Sequence, residues 1–172
     1  MAYAKTLLFT ILVPGTVVVL VPHAIRAAAG DAPAGVLLRA LALAPGLAGL
    51  AIYVWCAFDF ARAAGTPAPI DPPKQLVERG LYRHCRNPMY VGVLSLIAAQ
   101  ALYFGSARLW LYAAALFVAF HTFVVLYEEP TLARSFGASY QHYRATVPRW
   151  IPGLRANPPA ARRRTPPRSP RA

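Results

Sequence analysis

Acidic residues are scarce in this chain: six Asp and Glu stand against 18 Lys and Arg, giving a net charge of +12. Charge of either sign is missing altogether from four long stretches. These are the 20 residues between Lys5 and Arg26, the 19 between Arg39 and Asp59, the 21 between Arg86 and Arg108, and the 19 between Arg108 and Glu128. A helix crosses the hydrocarbon of a bilayer with about 20 apolar residues, so each stretch is long enough to span. With 57% hydrophobic residues, the composition excludes an ordinary soluble domain built on one core. Cysteine is nearly absent too. Cys56 falls within a span as a packing residue, and Cys85 lies in a basic loop on the reducing side. No CxxC or Cys/His pair has metal-ligand spacing, which argues against a disulfide framework or a zinc site.

Four spans therefore give an all-α integral membrane bundle. The first stretch reads as a span rather than a signal peptide, because its apolar part is longer than a usual signal core. Lysine and arginine placement sets the orientation. The N-terminus, the loop 60–88 and the C-terminal segment together carry 15 of the 18 basic residues, so both termini are expected in the cytoplasm of a multi-pass inner-membrane protein of a bacterium. Three parts follow. Residues 1–60 hold two scaffold spans, 61–153 a loop, a helical hairpin and a C-terminal segment, and 154–172 a basic tail rich in proline that reads as disordered. Nothing in the pattern marks a nucleic-acid fold, so membrane lipids are the expected partners of the basic residues.

Proline, by contrast, is abundant, and its clustering picks out one loop. Residues 67, 69, 72 and 73 are proline, forcing an extended path ahead of KQLVERGLYRHCRNPMY. Asn87 before Pro88 is a natural N-cap for the third span, whose first N–H groups would be open to an anion. Only FGSAR separates the third and fourth spans, so they form a hairpin whose other ends meet. That brings RNPMY against YEEPTL at the cytoplasmic mouth. Leu132, Phe136, Tyr140 and Tyr143 then recur at helical spacing in an amphipathic segment weakened by Gly137. Trp150 reads as an interfacial anchor.

Two adjacent carboxylates, Glu128 and Glu129, close the fourth span, where they oppose the helix dipole. Either they pair with the facing arginines or one of them holds a cationic ligand. His121 lies two turns earlier and is a candidate by virtue of sitting in a span. Aromatic faces at Tyr82 and Tyr90, a carboxylate and a helix N-terminus suit a zwitterion with a cationic centre. S-adenosyl-L-methionine has that character, and NADPH or a lipid headgroup could use the same elements.

The blocks GTPAPIDPPKQLVERGLYRHCRNPMYVG and YEEPTLARSFGASYQHYRATVPRWIP, in this order around a short hairpin, resemble the isoprenylcysteine carboxyl methyltransferase family, which is related to the membrane phospholipid methyltransferases. The resemblance implies an S-adenosyl-L-methionine-dependent methyltransferase acting on a lipophilic acceptor, with the cofactor pocket under the hairpin and C-terminal segment. It implies cofactor contacts at Lys74, Gln75, Leu76, Val77, Tyr82, Asn87, Pro88, Met89, Tyr90 and Glu128, with Glu129 in support. His121 and His84 are candidate bases. Two positions depart from the family: Asn87 stands in place of a histidine, and Val124 replaces the arginine that serves a prenylcysteine carboxylate. A non-catalytic scaffold keeping the fold, or an NADPH-dependent reductase, are the competing readings.

Overall fold

The computed structural model describes residues 14–62, 76 and 78–151. Lys74, Gln75, Val77, the start of the first apolar stretch and the basic tail lie outside the described residues. The described chain is helical throughout, with no strand. Helix α1 (Thr16–Ala29) opens with a π-helical turn over Thr16–Leu20 and continues as α-helix from Val21. Helix α2 covers Val36–Arg62 with Pro45 inside it, and a 3-10 turn follows at Gly80–Arg83. Helix α3 is Pro88–Phe104 and helix α4 is Ala107–Phe123. A second π-helical stretch, Val124–Glu128, joins α4 to α5 (Glu129–Thr146) without a break in the chain's helical path.

Two helical stretches are long and apolar enough to cross a membrane: Val36–Asp59 and the 40-residue run Ala107–Thr146. Their apolar windows are only 22% and 11% buried inside the protein, which rules against the core helices of a soluble domain. Leu43, Leu47 and Leu50 on α2 and Leu111 and Val118 on α4 are more than half exposed, a surface suited to hydrocarbon rather than water. Forty helical residues reach roughly 60 Å, about twice the hydrocarbon thickness, so the run Ala107–Thr146 must leave the bilayer along its length. Its charge-free stretch stops at Tyr127. Glu128, Glu129 and α5 lie beyond it. The other apolar helices, α1 and α3, are shorter.

The tightest contact joins α2 to α3. A β-carbon on Gly49 would lie 2.8 Å from the Gly92 carbonyl oxygen, and one on Gly92 would lie 3.0 Å from that of Gly49. The two backbones approach so closely only because neither residue has a side chain, the device common in membrane helix pairs. Around this crossing, Tyr53, Cys56, Tyr82, Met89, Val93 and Ile97 form the buried core. The π turn of α1 is tied to the hairpin by Tyr112, whose hydroxyl donates to the Val17 carbonyl at 2.9 Å, and by Gln100, whose amide donates to that of Val18 at 2.8 Å. Pro22, four residues after Val18 and five after Val17, has no N–H to offer these carbonyls, and the two donors serve them instead. At Gly137 the chain has φ 52 and ψ −123, so α5 is two helices meeting at a kink that only glycine accommodates without strain.

Candidate functional site

The site is assembled where the linker before α3, the α4–α5 junction and the segment after α5 converge. Pro88 starts α3 as the sequence suggests, and Asn87 takes the N-cap position. Its side chain does not cap, however. The amide donates 3.1 Å to the Arg149 carbonyl, and the cap is left to backbone geometry. Arg86 also differs from its expected role of gripping anionic lipid. Its guanidinium is largely buried, donating to Glu129 at 2.8 Å and to the Tyr140 hydroxyl at 3.3 Å.

The segment 147–151 folds back across the mouth as a strap. Arg86 N–H donates to the Pro148 carbonyl at 2.9 Å, and the Cys85 thiol is shared between the Arg149 and Trp150 carbonyls at 3.4 and 3.1 Å. Burial pushes that thiol's pKa up, against the lowering effect of a backbone hydrogen bond and Arg86, so it remains a neutral donor. Trp150 turns inward instead of anchoring at the interface. Its indole N–H donates to His121 Nδ1 at 3.1 Å, and its ring lies 5.2 Å from Phe117 and 6.4 Å from Tyr90. His121 consequently has its Nδ1 lone pair engaged, while His84 is exposed at the end of the 3-10 turn.

The two glutamates divide sharply. Glu129 is buried and receives Arg149 through two hydrogen bonds, 2.7 and 3.0 Å, together with Arg86 and, at 3.9 Å, Arg144. Burial alone would raise its pKa; the Arg149 hydrogen bonds and the charges of Arg86, Arg149 and Arg144 outweigh it and hold the carboxyl below its usual range. Glu128 has no arginine or lysine within ion-pair distance among the described residues. Its one hydrogen bond comes from the Tyr90 hydroxyl at 3.3 Å. Burial pushes its pKa up to about 7; the Tyr90 bond opposes the rise and the Glu129 charge adds to it. Tyr90 in turn packs on Phe120 with ring centroids 4.5 Å apart. A half-buried carboxylate beside aromatic faces, with no cation of its own among the described residues, can receive a cationic group.

Of the residues named from sequence, the structure brings Asn87, Tyr90 and Glu128 to this mouth, with Pro88 buried at the start of α3 and Met89 in the core. Tyr82 is buried in the core beside Cys56, its carbonyl taking the Tyr143 hydroxyl at 2.8 Å. Leu76 is half-buried. Val124, at the family's arginine position, is fully buried at the start of the π stretch. Arg149 and Cys85 were missed by sequence reasoning. The only signal for Arg149 was an arginine beyond Val147-Pro148, a dipeptide that turns the chain out of helix.

No curated protein and no solved structure matches the chain. A family profile described as phospholipid methyltransferase matches residues 40–139, a stretch running from α2 through the hairpin and both glutamates into α5. With more than half its length matched, and with two helices fit to cross a membrane, the chain belongs to the phospholipid methyltransferase family.

Proposed function

We propose that this protein is an S-adenosyl-L-methionine-dependent membrane methyltransferase acting on a lipophilic acceptor at the cytosolic mouth of a four-span bundle, with both termini cytoplasmic. The observation that carries this reading is Glu128, a carboxylate without a cation among the described residues, beside one that holds three arginines. The donor set fits the cofactor's charge: a carboxylate for its cationic portion, the Tyr90 and Phe120 rings for flat or cationic groups, and the first turn of α3 for its carboxylate. When bound, S-adenosyl-L-methionine supplies a methyl group on a sulfonium, open to in-line displacement by an oxygen, nitrogen or sulfur lone pair of the acceptor.

The chain's part is to bind, orient and exclude water. Glu128 would hold the cationic end, with Tyr90 fixing the carboxylate through its hydroxyl. Asn87, Pro88 and Met89 would supply the backbone wall, and the resemblance adds Lys74, Gln75, Leu76, Val77 and Tyr82. Glu129 keeps the strap and the linker in place around them. His121, with Nδ1 held by Trp150, is poorly free to take a proton, and His84 faces solvent, so the acceptor best suited to the site carries a lone pair without needing a strong base.

The departures at Asn87 and Val124 favour a second reading, a scaffold that keeps the fold without transfer. Purified protein incubated with labelled S-adenosyl-L-methionine and a membrane lipid extract separates the two. Label entering the organic phase is expected. Saturable cofactor binding without any transfer would support the scaffold, and displacement by NADPH in preference would indicate a reductase.

A further inference from the structure

Trp150 and His121 meet through one hydrogen bond, and its direction fixes more than the strap. An indole N–H can only donate, so the ring nitrogen that receives it, His121 Nδ1 at 3.1 Å, carries a lone pair. A neutral imidazole then keeps its proton on the other nitrogen. His121 is thereby held as a donor at Nε2. We propose that this Nε2–H donates to an oxygen of the methyl acceptor, so that His121 selects and positions the acceptor without taking a proton from it. This inference rests on the methyltransferase reading.

Three observations carry it. First, the donor is unspent. Among the described residues, Trp150 engages Nδ1 and no hydrogen bond leaves Nε2. The ring lies in the apolar helix α4, with Phe117 at 6.0 Å and Trp150 stacked at 6.1 Å. An N–H left open in such surroundings costs free energy until something accepts from it. Second, the donor is accessible. His121 is half-buried, and the buried atoms without a partner among the described residues are Asp59 Oδ2 and Arg86 Nε rather than His121 Nε2. Third, contacts lead from His121 to the carboxylate mouth. The Trp150 ring that holds it lies 6.4 Å from Tyr90, whose hydroxyl donates to Glu128 at 3.3 Å. Seven residues separate His121 from Glu128, on the order of 10 Å of helix. An acceptor whose reacting atom sits at the mouth reaches His121 with an oxygen about that far along its length.

The tautomer also sets this role apart from base catalysis. Nδ1 is occupied and Nε2 already holds its proton, so neither nitrogen offers a free lone pair. A donor of this kind discriminates by what it would lose: an acceptor without the oxygen leaves the N–H unpaired.

Ring-15N-histidine labelling of detergent-solubilised full-length protein reads the tautomer directly. The chain has four histidines, and His121→Gln identifies the resonance. A bare Nδ1 with a protonated Nε2 is expected at His121, and Trp150→Phe should return it to the mixed pattern of a free imidazole. Methyl octanoate, with a carbonyl oxygen, or octyl phosphate, with phosphoryl oxygens, should shift the Nε2–H resonance saturably, and decane should not. Whichever of the two shifts it names the oxygen. In transfer assays with a membrane lipid extract, His121→Phe should raise the extract concentration giving half-maximal rate at least about fivefold, the size of one lost hydrogen bond, while maximal rate and cofactor affinity hold. His121→Gln keeps an N–H donor but cannot act as a base, and it should restore most of the loss. A collapse of maximal rate in both variants would overturn the proposal in favour of a base. A mixed tautomer in the wild type, or a decane shift equal to that of the oxygen compounds, would overturn the donor itself. A saturable shift with transfer kinetics unchanged in His121→Phe would assign the donor to bilayer lipid and overturn its role toward the acceptor. Absence of cofactor binding or of transfer while the shift persists would remove the methyltransferase reading and leave a site for a lipid oxygen.

Discussion

The two ends of the α3–α4 hairpin use similar helices and are finished in opposite ways. At the turn, the ends of both helices and the Ser106 hydroxyl are answered. The Gly105 N–H closes α3 on the carbonyls of Ala101 and Leu102, Ser106 caps α4 by accepting from Leu109 N–H, and the Ser106 hydroxyl reaches Asp31. Ala34 N–H adds a bond to the Tyr103 carbonyl at 2.8 Å. At the open end the accounts do not close. Among the described residues, Glu128 has no cation within ion-pair distance, Arg86 Nε is buried without a partner, and Asp59 Oδ2 is in the same condition at the neighbouring end of α2. A regular turn needs only stability, so its groups are paired off. The open end keeps polar capacity in reserve, and buried capacity of that kind costs stability unless a ligand uses it.

The contrast can be tested from its strongest element downward. Glu129→Gln should have the largest effect on the fold. It leaves Arg86 and Arg149 buried against a neutral amide, and breaking a buried ion pair typically costs about 3–5 kcal/mol. Thermal melts in detergent should fall steeply, and limited proteolysis should cut the strap. A melt unchanged from wild type would mean that the arginine network does not hold the mouth together.

Next comes pH. With the Glu128 pKa raised to about 7, the free site is half protonated near neutrality. A cationic ligand requires the ionised form, so affinity should rise from about pH 6 to about pH 8, changing by up to about tenfold per pH unit on the acid side. Glu128→Gln should flatten that profile. A profile identical in wild type and variant would place the titrating group elsewhere. The smallest effect belongs to the turn. Ser106→Ala removes a cap worth about 1 kcal/mol and should lower the melting temperature modestly while cofactor affinity stays as it was. Loss of binding on that change would erase the distinction between the two ends.

Much of this layout is legible in the sequence, for a physical reason. Charge-free stretches mark the apolar helices, two of them long enough to cross a membrane, and a five-residue link such as FGSAR allows little besides an antiparallel hairpin. From those two facts the meeting of Asn87–Tyr90 with Glu128–Glu129 follows. Gly137, which weakens the amphipathic segment in the sequence, is where the structure kinks α5. The division of labour between Glu128 and Glu129 is not legible, because it depends on Arg149 returning from 20 residues downstream. The π-helical stretches at Thr16–Leu20 and Val124–Glu128 are invisible for a different reason: a single widened turn has no composition of its own, and the carbonyl partners of the first, Gln100 and Tyr112, are distant in sequence. Trp150 shows the limit of residue-type reasoning. Tryptophan near a span end usually anchors at the interface, yet here His121 draws the indole into the mouth.

The most direct test of the account is equilibrium binding of S-adenosyl-L-methionine to purified protein and to Glu128→Gln, with melting curves recorded on the same samples. Removing one side of a buried charge pair costs 2 kcal/mol or more, so the variant should bind at least about 30-fold more weakly while melting near the wild-type temperature. Equal affinity in two equally folded proteins would contradict the claim that Glu128 is the carboxylate kept free for the cofactor.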